Sequence, residues 1–287
     1  GCTATDQVTF VNPAGFTVNV TSTTDATCFG LNNGAATVTV TPSGSYSYAW
    51  SPAPAAGQTT PTVVGLTAGN YIVTVTDPVT SCVATATVTI NQPTQIVPVI
   101  TIDNPISCNG VCDGALSGTA TGGTAPYTYT WYTQTTTTPG QSISNLCADT
   151  FALLVTDNIG CMWADTVTLT EPAALTISTA IDTAISCNGD CDGVASVSVS
   201  GGQTPYTYAW SSGSSSDTAN SLCDGTYTVT ITDGGGCTGQ ETVTLNEPAQ
   251  LVLTLTTNNQ PLCNGDCNGS VTASATGGTG GYTFTWT

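Results

Sequence analysis

The chain has 287 residues and a formal charge of −18, built from 18 acidic residues without a single Lys, Arg or His. Those exclusions remove His-based triads, His metal ligands, Lys Schiff bases and any cationic clamp for phosphate. Nucleic-acid binding is excluded with them, because nothing neutralises a phosphate backbone.

What remains reads as all-β. Hydrophobic residues make up 39% of the chain, and β-branched Val, Ile and Thr are frequent, as strands prefer. No stretch approaches the roughly 20 apolar residues of a membrane span. Internal repetition dominates the pattern. An aromatic strand recurs as Tyr46-Ser-Tyr48-Ala-Trp50, Tyr127-Thr-Tyr129-Thr-Trp131, Tyr206-Thr-Tyr208-Ala-Trp210 and Tyr282-Thr-Phe284-Thr-Trp286. After the first three comes a Leu-x4-aromatic corner (Leu66 to Tyr71, Leu146 to Phe151, Leu222 to Tyr227), then Thr-Asp (Asp77, Asp157, Asp233) and a Cys. Units close at Asn12-Pro13, Gln92-Pro93, Glu171-Pro172 and Glu247-Pro248.

In chain order this gives the tail of a repeat (1–13), complete repeats at 14–93, 94–172 and 173–248, and the front half of another at 249–287. Both ends fall inside a unit, so the natural polypeptide is expected to continue in both directions. Within a unit the period is two: Ala195, Val197 and Val199 share a face, as do Tyr206, Tyr208 and Trp210, and Tyr227, Val229 and Ile231. Gly, Asn, Asp and Pro punctuate these runs every 8–12 residues or so, which predicts about seven short strands per unit. The Trp strand and the Leu-x4-Tyr corner resemble strands C and F of an immunoglobulin-like antiparallel β-sandwich; another antiparallel sandwich is the alternative. Repeats of about 76–81 residues, joined by short Pro-bearing connections, predict an elongated rod.

Thirteen cysteines indicate an oxidising compartment. Units 94–172 and 173–248 carry four each, and unit 14–93 carries only Cys28 and Cys82. Asn32 and Thr67 stand there in place of Cys112 and Cys147, so those two positions are lost together. Paired loss predicts Cys112–Cys147 and Cys191–Cys223. It leaves Cys28–Cys82, Cys108–Cys161 and Cys187–Cys237 as the remaining pairs. A four-Cys zinc site would lose all its ligands together, which the two-Cys unit does not.

The residues Cys-Asn-Gly-x-Cys-Asp-Gly, Gly-Gly-x-x-Pro-Tyr-x-Tyr-x-Trp, Leu-x-x-Gly-x-Tyr and Glu-Pro resemble the SprB repeat family of Bacteroidota, best at 173–248. The resemblance implies a large secreted surface protein, of the kind that includes gliding-motility adhesins exported by the type IX system. It implies no catalytic residues.

Other candidate sites are turn-like or chemical. Asp190, Asp192 and Asp266 offer oxygen ligands for Ca²⁺, but match no EF-hand loop, and Asp/Asn/Gly clusters are ordinary turn formers. No cofactor is expected beyond Ca²⁺ attracted loosely by the acidic field. Asp-Thr-small/aliphatic triplets mark Thr166, Thr183 and Thr218 as acceptors for O-glycosylation. The reading is a non-enzymatic, extracellular, cell-surface structural or adhesive repeat protein, a stalk or filament whose partners are copies of itself or adjoining repeats. The alternative is a carbohydrate- or surface-binding module of a secreted adhesin or enzyme, with surface polysaccharide as its partner.

Overall fold

The computed structural model describes residues 15–54, 58–133, 135–265 and 267–287. The 1–13 unit, Cys2 and Asp266 lie outside the described residues. The chain gathers into two compact units. One comprises residues up to Asp103 with Ala115–Ile143 and Thr150–Thr168; the other comprises Asn104–Gly114, Ser144–Asp149 and Leu169–Thr287.

The first unit opens with six strands: β1 (Thr17–Thr24), β2 (Gly34–Thr41), β3 (Ser47–Ser51), β4 (Thr62–Leu66), β5 (Gly69–Thr76) and β6 (Val83–Ile90). They form two three-stranded antiparallel sheets, β1-β2-β4 and β3-β5-β6. This is the A-B-E and C-F-G arrangement of an immunoglobulin-like sandwich without strand D. The alternating face of β5 buries Tyr71, Val73 and Val75 against Ala36, Val38, Trp50 and Val63.

The middle repeat repeats the order with β7 (Val97–Asn104), β8 (Gly114–Thr121), β9 (Thr128–Tyr132), β10 (Thr137–Pro139), β11 (Ser142–Leu146), β12 (Asp149–Thr156) and β13 (Met162–Leu169), in sheets β11-β8-β7 and β10-β9-β12-β13. In the second unit, β14 (Thr176–Thr183), β15 (Gly193–Ser200), β16 (Thr207–Trp210), β17 (Thr218–Leu222), β18 (Gly225–Thr232) and β19 (Thr238–Leu245) form β14-β15-β17 and β16-β18-β19. There Ala195, Val197, Trp210, Val229 and Ile231 make the core, with Tyr206, Tyr208 and Tyr227 packed at its margin. β20 (Val252–Asn259) and β21 (Ser270–Thr276) pair as the last hairpin.

Only the middle repeat reaches the expected seven strands among the described residues. The reason lies between the Trp strand and the next one. The first repeat places Pro52 and Pro54 there, which cannot donate to a ladder, and the third places the short Ser211–Asp217 segment. Trp50 Nε1 donates to Thr60 O at 3.1 Å and Trp210 Nε1 to Ser216 O at 3.0 Å, so each Trp ties the residues ahead of the next strand to the aromatic strand. No helix among the described residues is long and apolar enough to cross a membrane.

One core position shows how the repeats tolerate divergence. Val38 shares the first core with Val73 and Val197 shares the third with Val229, whereas the middle repeat has Gly118 against Leu153. A Cβ on Gly118 would lie 2.4 Å from Leu153 Cδ2, so glycine makes room for the larger residue. Gly118→Val is expected to destabilise the chain by about 1–3 kcal/mol through overpacking. Adding Leu153→Val should restore most of that in thermal unfolding; no rescue would show that the two positions do not share volume.

Candidate functional site at the repeat junctions

Two loop types meet where consecutive repeats join. The first is the β1–β2-type loop bearing Cys28 or Cys108. Its Cys carbonyl accepts the N–H three residues on, from Leu31 or Val111, both at 3.2 Å. Glu171 then clamps the second such loop from the end of β13. Asn109 Nδ2 donates to Glu171 Oε1 at 2.9 Å, and Gly110 N to Oε2 at 2.8 Å. Gln92 does the same work in the first repeat, accepting Gly30 N at 2.8 Å. The recurring Cys-Asn-Gly and Glu-Pro motifs are therefore two halves of one contact.

The second loop type is the turn after β12 or β18. Asp157 is only 5% exposed and accepts three backbone N–H groups. Ile159 and Cys161 donate to Oδ1, and Thr124, from the Gly122-Gly123 loop, donates to Oδ2, each at 2.9 Å. Asp233 is equally buried and accepts Gly235 and Cys237 on Oδ1 at 2.9 and 2.8 Å, and Gln203 on Oδ2 at 2.8 Å. Burial opposes ionisation of Asp157, but the N–H groups of Thr124, Cys161 and Ile159 outweigh it and hold its pKa below the usual carboxylate value. Gln203 N–H leads the same lowering at Asp233. Asp77 caps only its own turn, through Val79 N at 2.8 Å and the Thr80 hydroxyl at 2.8 Å, and Val79 leads the lowering of its pKa.

The Gly-Gly loop approaches the preceding connection too closely for any side chain. Gly122 has φ +74°, and a Cβ there would sit 1.9 Å from Gln95 O. Tyr127 Oη donates to Gly122 O at 2.5 Å, and Tyr206 Oη to Gly201 O at 2.5 Å. The first tyrosine of the aromatic strand thus secures the loop that receives the buried aspartate.

Disulfides join the two loop types across repeats. Cys28 bonds Cys161 and Cys108 bonds Cys237, with Cα–Cα distances of 5.6 and 5.7 Å. Cys112 bonds Cys147 and Cys191 bonds Cys223 within their repeats. The expected pairs Cys28–Cys82, Cys108–Cys161 and Cys187–Cys237 do not form. In the first repeat Cys82 sits at the start of β6, while the Cys28 loop sits at its far end, where Ala26 N donates to Asn91 O at 2.9 Å. An eight-residue strand spans about 27 Å, far beyond the roughly 7 Å a disulfide tolerates between Cα atoms. Cys28 therefore meets the turn of the next repeat rather than Cys82.

The first junction is lined by Phe29, Leu31, Pro93, Ile96, Met162 and Trp163. Trp163 and Phe29 are each 44% exposed. The second is lined by Val111, Pro172, Leu175, Gly202 and Thr238. Of the calcium candidates, Asp192 accepts Ser186 N at 3.0 Å, and Asp190 Oδ2 accepts the Ser186 hydroxyl at 3.4 Å. The Ser186 contacts lower the pKa of Asp192, as those of Ser107 do for Asp113. Among the described residues no group of three or more His, Cys, Asp or Glu side chains gathers as a metal site. Thr166 and Thr183 are exposed, while Thr218 is half-buried in β17.

By strand order and packing the chain is a tandem of immunoglobulin-like β-sandwiches. It belongs to the SprB repeat family, whose model matches residues 20–55, 101–136, 179–215 and 255–287. No curated protein matches it. Among solved structures it is similar to the three N-terminal domains of the bacteriophage RB49 outer capsid protein Hoc (14% identity, 81% of this chain and 96% of that one, TM-score 0.37). It is also similar to a tetra-tandem repeat in the extending region of a large adhesion protein (15% identity, 91% and 87%, TM-score 0.28). The eight N-terminal Ig domains of Down syndrome cell adhesion molecule match at 13% identity, over 93% and 46%, with a TM-score of 0.25.

Proposed function

We propose that the chain is a non-enzymatic, load-bearing segment of an extracellular surface or adhesive protein. The observation that carries this is the disulfide between consecutive repeats, Cys28–Cys161 and Cys108–Cys237. A staple inside a domain stabilises that domain, whereas one across a junction transmits tension past it. Such bonds belong to oxidising surroundings outside the cytosol. The recurring buried carboxylates suit this role rather than proton transfer, since three backbone N–H groups engage both oxygens of each of Asp157 and Asp233. Exposed Thr166 and Thr183 are the acceptors we assign to O-glycosylation, and any Ca²⁺ is held by the acidic field.

A second reading, recognition of surface polysaccharide, rests on the exposed Trp163 and Phe29 beside the first junction. A glycan array probed with the intact, oxidised chain separates the two. The stalk reading expects no selective binding; reproducible binding to one glycan class, lost in Trp163→Ala, would put the recognition reading in its place.

A further inference from the structure

Among the described residues two junctions are complete, and a third holds the same fittings without the turn that fills them. The Cys187 loop repeats the bonded ones: Asp190 N donates to Cys187 O at 3.2 Å, Asn188 Nδ2 to Glu247 Oε1 at 2.6 Å and Gly189 N to Glu247 Oε2 at 2.7 Å. Beyond it, Gly277 and Gly278 have φ of +78° and +60°, matching +74° and +60° at Gly122 and Gly123. Gly278 N donates to Ala249 O at 2.6 Å, and Tyr282 Oη donates to Gly277 O, as at the other junctions.

What differs is the occupant. A Cβ on Gly123 or Gly202 would meet Asp157 Oδ2 at 2.9 Å or Asp233 Oδ2 at 2.5 Å; on Gly278 it would meet only Leu251, at 3.6 Å. Ser186, Cys187, Asn188, Leu251, Gly278 and Tyr282 line the open groove. The Cys187 thiol is exposed. Leu253 is 61% exposed, whereas its counterpart Ile177 packs on the core of the third repeat. The sheet of β20 and β21 thus leaves uncovered the face that β16, β18 and β19 cover one repeat earlier.

We infer that this groove is a docking site for a Thr-Asp-x3-Cys turn and its sheet from a further SprB repeat, whose cysteine bonds Cys187. The incoming aspartate accepts the Thr279 N–H, as Asp157 accepts Thr124 and Asp233 accepts Gln203. The covalent step needs a disulfide oxidant, such as glutathione disulfide. The Cys187 thiolate attacks it and expels one glutathione thiolate. The incoming cysteine thiolate then attacks the mixed disulfide at the Cys187 sulfur and expels the second. Two protein thiols are thereby oxidised, one glutathione disulfide is reduced to two thiols, and the two protein protons pass to the departing thiolates. This inference rests on the oxidising, extracellular setting proposed above.

The test is peptide mapping of the native protein, alkylated without reductant and cut by an Asp-directed protease. Asp190 separates Cys187 from Cys191, so the two can be read independently. The expected result is a Cys187 peptide disulfide-linked to a Thr-Asp-x3-Cys peptide of another repeat. Linkage to Cys82 would overturn that source in favour of a second copy of this chain. Alkylated Cys187 beside intact Cys28–Cys161 and Cys108–Cys237 bonds would overturn the docking site while leaving the stalk reading standing, whereas linkage to Cys237 would displace the Cys108–Cys237 bond and overturn both. Alkylation of every cysteine would overturn both.

Discussion

Pulled through handles beyond Cys28 and Cys237 under oxidising conditions, the chain is expected to yield almost none of the length its backbone contains. Along the backbone those two cysteines are 209 residues apart. The shortest covalent route is different. It crosses from Cys28 to Cys161, runs fourteen residues back to Cys147, crosses to Cys112, runs four to Cys108 and crosses to Cys237, eighteen residues in all. At about 3.5 Å per extended residue, that is about 65 Å against about 730 Å for the open backbone. Single-molecule force spectroscopy should show roughly 650 Å of hidden length appearing on addition of a phosphine reductant. Cys28→Ser alone leaves the route Cys28 to Cys108 along the backbone, 80 residues, and should release roughly 220 Å of it. Disulfides confined within each repeat would leave a route of 52 residues. Oxidised extension near about 180 Å would therefore contradict the cross-repeat bonding.

On acidification, melting temperature is expected to hold steady or rise from pH 7 to about pH 5 and to fall below the ordinary Asp value of 3.8. The structured carboxylates Asp77, Asp113, Asp157, Asp192 and Asp233 all have pKa values lowered by hydrogen bonds they accept only in the fold. A lowered folded-state pKa contributes stability that is present above the unfolded value and lost as pH drops through the folded one. Opposing this, protonation discharges a chain of net charge −18, and no Lys, Arg or His can replace that charge with a positive one. The cation repulsion that usually drives acid unfolding is missing, so the fall should come from the hydrogen-bonded aspartates. Asp157→Asn and Asp233→Asn should flatten it. Added salt should raise the melting temperature at pH 7 by screening the acidic surface, and do little at pH 3. A melting temperature that climbs steadily down to pH 2 would show that these hydrogen bonds contribute nothing.

Much of this was legible one residue at a time. Spacing of Trp50, Trp131, Trp210 and Trp286 marks the repeat, and alternation through Tyr227, Val229 and Ile231 marks a half-buried strand. Paired absence at Asn32 and Thr67 points to the staple that Cys112 and Cys147 form. These are local signals, because a strand's period and a side chain's presence are properties of the segment itself. The partners of Cys28 and Cys108 were not legible in that way. Cys28 and Cys82 persist together whether they bond each other or their neighbours. Only strand direction distinguishes the cases, since it puts the Cys28 loop and the Cys82 turn at opposite ends of β6 and brings Cys161 within 5.6 Å of Cys28. The same holds for the buried aspartates, whose recurrence is plain in the sequence but whose link from turn to Gly-Gly loop needs two strands brought side by side. By itself the sequence determined the repeat, the strands and the presence of staples. Tertiary structure alone decided which ends of those strands meet, because that depends on chain segments more than a hundred residues apart.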